Sequence, residues 1–342
     1  MSDFPVVLLF SFLLALLFSI LLRALSLKLK IFQSKNGTPY VGGIACALTF
    51  SLSYFYYLYI HTITLPLELA WLLVFSLIVL VVELFDDLKD FSLRPRLVIQ
   101  FLLVALFLVY GKRTQIYFLP VWLNYFISFL WMLGIMQAFN HLDIADGLCG
   151  GVAAIISLSF LWISFICGKP LLVVLFLVLS SSLLIFISFN LPSARIYLGN
   201  SGSHFLGFLL AGLCMYGDYA TVSNVIRLSI PEIGLLVPLC ILAFPLFDTL
   251  FLIFIRLKKG IVPVKKSDDH IFLLFLRSGY EIKTALAIVY GLTAAWCLAG
   301  LAIVLNRNFA AAVSTLIALV LTVFVVLRSL SGNKGNKKTV LS

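Results

Sequence analysis

Two aspartates and an asparagine interrupt a long apolar stretch at Asn140, Asp143 and Asp146, inside the segment AFNHLDIADGLCGG that runs from Ala138 to Gly151. They recur every third residue, so on a helix, where each residue turns by about 100°, they fan over one face. An unpaired aspartate at membrane depth costs roughly 2.5–3.5 kcal/mol, so a close pair of them requires a metal ion, a cationic ligand or a water-filled pocket. The residues alone leave one alternative open, a hydrophilic loop rich in turn formers.

A second acidic group ends an earlier apolar run: Glu83, Asp86, Asp87 and Asp90, followed by Arg94 and Arg96. Adjacent carboxylates at a helix end repel unless a cation offsets them. Mg²⁺ takes one or two carboxylates and completes its shell with phosphate oxygens and water, and such a pair can also act as base toward a phosphate proton. Taken alone, an Asp-Asp pair more often marks a solvated acidic turn.

The segment Asn190–His204 (NLPSARIYLGNSGSH) brings Arg195 and then two glycines, Gly199 and Gly202, around Asn200 and Ser201. Glycines of this kind let backbone N–H groups approach an anion at a helix start, although a plain glycine-rich turn fits the same residues. Further on, Pro245 and Asp248 sit inside an apolar run with Arg256 behind them. Asp248 reads equally as a buried ion pair. Near the N-terminus, Lys35 and Thr38 in KNGTPYVGG offer a cation, a turn and close backbone approach. His270 is the one histidine of the long basic loop, and a lone histidine is more often structural than a ligand or base.

The elements that must position these residues are membrane spans. The chain has 342 residues, 63% of them hydrophobic and only 11% charged, against about 25% charged in soluble domains. That excludes a water-exposed globule of this size. Apolar runs near the length of about 20 residues needed to span appear at 4–25, 40–60, 68–85, 97–111, 120–140, 150–167, 171–189, 204–221, 233–255, 284–305 and 308–330. The expected fold is therefore all-α, a polytopic helical bundle of ten or eleven spans, the fourth run being short. The first run lacks a basic segment ahead of it and is expected to stay as a span. Residues 1–330 are expected to form one transmembrane catalytic domain and 331–342 a basic cytoplasmic tail. The six cysteines show no CxxC spacing, so neither a disulfide framework nor a zinc site is indicated.

The net charge of +10 follows the membrane rather than nucleic acid. With eleven spans, nineteen of the 24 Lys and Arg fall on one side, which makes that side cytoplasmic and the N-terminus external. The basic surplus also favours anionic lipid headgroups. Asp86, Asp87, Asp90, Asp143, Asp146, Asp268 and Asp269 fall on the same face, with Asp248 close to it. The positive-inside rule does not move carboxylates, so their gathering has another cause. Acids from several loops beside Arg and Lys are what a site for magnesium and phosphates needs.

In order and sidedness these pieces resemble the polyprenyl-phosphate N-acetylhexosamine-1-phosphate transferases of glycosyltransferase family 4, which transfer phospho-MurNAc-pentapeptide or phospho-GlcNAc. Asp86-Asp87 resembles the family's DD motif, with Arg94, Arg96 and Gln100 behind it. Asn140, Asp143, Asp146 and Gly147 resemble NxxDGxDGL. Ala194–Ser203 is similar to PAxIFMGDxGS, and Pro245, Asp248, Thr249, Arg256, Gly260 and Pro263 to PLxDTxxxxxxRxxxGxxP. Lys35–Gly43 is close to KxGTPxxGG.

The resemblance implies a Mg²⁺-dependent enzyme, with Mn²⁺ as an alternative, in a bacterial plasma membrane. It would transfer a sugar-1-phosphate from a UDP-sugar to polyprenyl (undecaprenyl) phosphate, releasing UMP, for cell-wall or surface-polysaccharide synthesis. Asp86 and Asp87 would be catalytic. Lys35, Thr38, Asn140, Asp143, Asp146, Arg195, Asp248, Arg256 and His270 would bind substrate, and Asn200, Asp87 and Asp143 the metal. Nucleic acid is not an expected partner, and a homodimer is compatible with the sequence.

The chain departs from the family pattern at Asn200, where the family has a metal-binding aspartate, and at Ile144, where it has glycine. The HxHH of the last cytoplasmic loop is His270-Ile271-Phe272-Leu273, with Ser267 upstream in place of aspartate. These departures raise an alternative: a relative without catalysis that binds polyprenyl phosphate or a membrane partner.

Overall fold

A computed structural model describes residues 4–89, 92–116, 118–217, 236–260, 269–305 and 308–332. Asp90, Pro263, Ser267, Asp268 and the tail from 333 lie outside them. The chain divides into two compact units, Met1–Asp218 and Tyr219–Ser342.

In the first unit the helices are α1 (Phe4–Leu29), α2 (Gly42–His61), α3 (Leu67–Lys89), α4 (Leu93–Tyr110), α5 (Val121–Leu142), α6 (Leu148–Ile166), α7 (Pro170–Asn190) and α8 (Gly199–Tyr216). The second has α9 (Leu236–Ile241), α10 (Ala243–Lys258), α11 (Ile271–Arg277), α12 (Ile282–Val304) and α13 (Asn308–Gly332). Among the described residues seven helices, α1, α2, α3, α5, α6, α7 and α12, are long and apolar enough to cross a membrane. The protein is all-α and polytopic.

The outer helices show what a lipid surround does to patterning. On α1 four of the five buried positions are small or polar (Ser11, Ala15, Ser19 and Ser26, with Val7 the fifth), while Leu9, Leu13, Leu17 and Ile20 point outward. Lipid tails are as apolar as leucine, so close packing rather than leucine burial selects the inner face. At the centre stands α8, buried at every position from Ser201 to Cys214. A helix apolar on all sides belongs inside its bundle. It packs against α2, α3 and α5, and at two crossings the approach is between backbones. A Cβ on Gly202 would stand 2.6 Å from Gly43 Cα of α2, and one on Gly207 would stand 2.7 Å from Met136 Cα of α5.

The ninth apolar run, expected as one span over 233–255, is two helices in its described part. Pro245 has no N–H to give the Ile241 carbonyl, and the chain breaks at Leu242, between α9 and α10. Cys297 Sγ of α12 lies 3.9 Å from that Ile241 oxygen. Hydropathy counts apolar residues and is blind to one lost hydrogen bond.

Candidate active site

Three helix ends and two loops of the first unit converge at the start of α8. Asp87, in the last turn of α3, accepts the backbone N–H of Asn200 at Oδ1 (3.1 Å) and that of Ser201 at Oδ2 (3.0 Å). These are among the donors that a helix start leaves without an intrahelical partner. A carboxylate on one helix thus caps another. Gly199 makes room for it, with φ +81° and a hypothetical Cβ 3.1 Å from Asp87 Oδ2. Tyr40 donates its hydroxyl to the Asp87 carbonyl at 3.2 Å.

The segment around Tyr40 is pinned to the same place. Ser34 N–H bonds the Thr38 carbonyl (2.9 Å), and Gly37, at φ +78°, closes the turn onto Ser34. Tyr197 N–H bonds the Pro39 carbonyl at 2.7 Å, and Gly42 and Gly43 donate to the Tyr197 and Leu198 carbonyls at 2.9 and 3.0 Å. Lys35 is thereby held at an exposed hairpin tip, with Thr38 on its return side.

The Asn140–Asp146 segment is partly helix and partly loop. Asn140 lies in the last turn of α5, Asp143 follows the helix end, and Asp146 precedes α6. Each is tied differently. Asn140 Oδ1 accepts the Ser203 hydroxyl of α8 at 3.4 Å, and Asp146 Oδ2 accepts the Ala194 N–H at 3.0 Å. The Asp143 carboxylate makes no hydrogen bond or ion pair among the described residues. Burial first, and then the charges of Asp87 and Asp146, push its pKa up to about 7. Asp87, Asp143 and Asp146 thus share one field. Asn190 ties the loops together, accepting the Gly147 N–H at 3.0 Å and donating to the Ile196 carbonyl at 2.8 Å.

Behind Asp87 lies a polar network around Asp86, an expected catalytic residue, that adds Glu83, Arg96, Gln100, Gln137 and His204, none of which the sequence reading placed among the site residues. Arg96 of α4 forms ion pairs with Glu83 (3.0 Å) and Asp86 (3.0 Å) of α3. Gln100 donates to Glu83 at 2.5 Å and accepts from Gln137 of α5 at 2.6 Å. His204 of α8 completes the group beside Arg96. Four-residue spacing on one helix is the signal that was available: Glu83 with Asp87, Arg96 with Gln100, Asn200 with His204.

The first unit therefore brings together Asp87, Asn140, Asp143, Asp146 and Asn200, with Asp86 turned to Arg96. Lys35 and Arg195 are exposed, and no ion pair joins either to these acids among the described residues.

In the second unit, Asp248 Oδ2 pairs with His270 Nδ1 at 3.0 Å, and its Oδ1 accepts the Ile271 N–H at 2.9 Å. Asp248 thus caps α11. Arg256 is buried and feels the charges of Asp269 and Asp248, while Lys259 reaches Asp269 at 2.6 Å. Among the described residues no three His, Cys, Asp or Glu side chains stand close enough together to hold a metal ion.

Residues 69–218, which contain Asp87, Asn140, Asp143, Asp146 and Asn200, match the family model Glycosyl transferase family 4. A Bacillus subtilis protein named "Probable undecaprenyl-phosphate N-acetylglucosaminyl 1-phosphate transferase" is 27% identical over 224 residues, covering 63% of this chain and 60% of the relative. The undecaprenyl-phosphate alpha-N-acetylglucosaminyl 1-phosphate transferase of Thermotoga maritima is 28% identical over 221 residues, covering 63% of this chain and 65% of the relative. The protein of the same name in Salmonella typhi is 25% identical over 302 residues, covering 81% and 78%. The match thus spans less than two thirds of the Bacillus and Thermotoga proteins. Over residues 69–218, a little under half of its length, the chain is thus similar to glycosyl transferase family 4.

Proposed function

We propose that this chain transfers an N-acetylhexosamine-1-phosphate from a UDP-sugar to polyprenyl phosphate on the cytoplasmic face of a bacterial plasma membrane. One observation carries the reading: three carboxylates and two amides gather around the start of a buried helix, and among the described residues the Asp143 carboxylate has neither a hydrogen bond nor an ion pair. Such a concentration of negative charge is costly unless a cation or cationic complex joins it. The relatives' names supply the donor class, UDP-GlcNAc being the first candidate, and undecaprenyl phosphate as the acceptor.

The oxygens of Asp143, Asp146 and Asn200 suit a hard cation, and their small number fits Mg²⁺, which keeps water and phosphate oxygens in its shell. When bound, Mg²⁺ would neutralise charge on the phosphates that must meet. The rest falls to the chain itself. A lipid-phosphate oxygen attacks the β-phosphorus of the donor, the bond between β-phosphorus and bridging oxygen breaks, and UMP departs with that oxygen. Asp87, immobilised by two N–H groups, orients the lipid phosphate or takes its proton. Asn140 and Asp146, each tied to the α8 side, form the donor wall. Lys35 and Arg195, both exposed, supply cations for the diphosphate.

The test is UMP release by purified protein in detergent with undecaprenyl phosphate, Mg²⁺ and a panel of UDP-sugars. Release from UDP-GlcNAc is expected. Absence of UMP from every donor, with polyprenyl phosphate still bound, would replace this reading by the non-catalytic one that Asn200 raises.

A further inference from the structure

Arg96 stands where α3, α4, α5 and α8 meet, and each nitrogen of its fork has a different duty. Nε and Nη1 hold Glu83 and Asp86, and Nη2 faces His204 Nε2 at 3.2 Å. A guanidinium only donates, and a backbone carbonyl only accepts. The imidazole between them is therefore fixed at one atom: Nδ1 carries the hydrogen and gives it to the Asn200 carbonyl at 2.8 Å, while Arg96 Nη2, 3.2 Å from Nε2 and 3.5 Å from Nδ1, packs over the ring. The His204 ring is fully buried and Glu83 nearly so. Asn200 lies in the first turn of α8, and its own N–H and that of Ser201 hold the two oxygens of Asp87.

We propose that Arg96 and His204 are positioning residues for Asp87, acting through the first turn of α8. The chain of contacts is continuous: Gln137 sets Gln100, Gln100 and Arg96 set Glu83, Arg96 sets the His204 ring, and the ring sets the Asn200 peptide that fixes Asp87. A buried ion pair usually contributes no more stability than apolar residues of the same volume, so such a network is better matched to holding a geometry than to holding the fold. The role rests on the transferase reading for its effect on turnover, but not for its effect on the α8 start.

The experiment compares His204→Phe, His204→Gln and Arg96→Lys in the purified full-length protein. Phenylalanine fills the space without a donor or acceptor, whereas glutamine offers both. In His204→Phe, amide hydrogen exchange at Asn200 and Ser201 should accelerate about tenfold while exchange in α6 and α7 stays unchanged. With UDP-GlcNAc and undecaprenyl phosphate, kcat should fall about 100-fold at nearly constant donor KM, the scale of a misplacement of about 1 Å. His204→Gln should recover both readouts to within about threefold of wild type, on the same scale. Unchanged exchange at residues 200 and 201, equal acceleration throughout α6 and α7, or a glutamine variant as defective as phenylalanine would each overturn the proposal. If His204→Phe does not fold, Arg96→Lys decides: it keeps the charge but loses the fork, so faster exchange at the same two amides is expected and unchanged exchange overturns it. If wild-type protein releases no UMP, the transferase reading falls, and the exchange data still decide the relay.

Discussion

Asp87 and Asp248 perform the same local task in different company. Each accepts backbone N–H groups at the start of a helix other than its own, Asp87 at α8 and Asp248 at α11. Asp248 also pairs with His270 and faces the buried Arg256. Asp87 shares its field with Asp143 and Asp146. A carboxylate whose surroundings are neutralised holds structure, whereas one placed among further acids is arranged for a ligand that brings positive charge.

The sharpest test of that contrast is a pair of isosteric changes. Asp87→Asn should lower turnover about 10³-fold without unfolding, because it removes the charge that the proposed reaction uses. Asp248→Asn keeps an oxygen for the Ile271 N–H and should cost about tenfold or less. Initial rates of UMP release, with thermal melting as the folding control, measure both, and equal losses would break the contrast.

The next effect lies in the packing that brings α8 to Asp87. Gly43→Ala places a methyl 2.2 Å from Gly202 Cα, where neither backbone can yield, and should destabilise by about 3 kcal/mol. Gly134→Ala on α5 meets open space and should stabilise by about 0.5–1 kcal/mol. Denaturation midpoints of the two variants decide.

Smaller again, Asn200→Asp adds a carboxylate to the acidic group and should lower the Mg²⁺ concentration for half-maximal activity by roughly tenfold. An unchanged requirement would remove residue 200 from the cation's surroundings.

The smallest effect is a pH-dependent melting shift. Folding raises the Asp143 pKa from 3.8 to about 7, so the native state holds that proton more tightly and stability is lost as pH rises through this window. Asp143→Asn should therefore melt a few degrees higher than wild type at pH 8 and match it near pH 4. A constant difference at both pH values would show that charge is not the cause.

How much of this was legible in the chain depends on what each residue has to match. The helices were readable because bilayer thickness dictates their length, and each expected run is occupied by a helix; only Pro245, whose effect is a missing donor rather than a polar side chain, divided one of them. Asp143 and Asp146 announced themselves as acids among apolar residues. The Glu83–Arg96–His204 group did not, because its partners lie on three helices, and the sequence separation of Glu83 from His204 carries no sign of their contact. Nor did spacing reveal that both oxygens of Asp87 are taken up by α8. That depends on Gly199 and Gly202 permitting an approach visible only in three dimensions.

The ion pairs of Arg96 also bear on how the protein is built. In its last two turns α3 carries Glu83, Asp86 and Asp87, and three carboxylates are poor cargo for a lone segment entering lipid. Arg96 follows on α4 after a connection of a few residues and binds two of them. The two segments are thus suited to enter the bilayer together as a hairpin, with one of the three negative charges already offset before α5 has been synthesised.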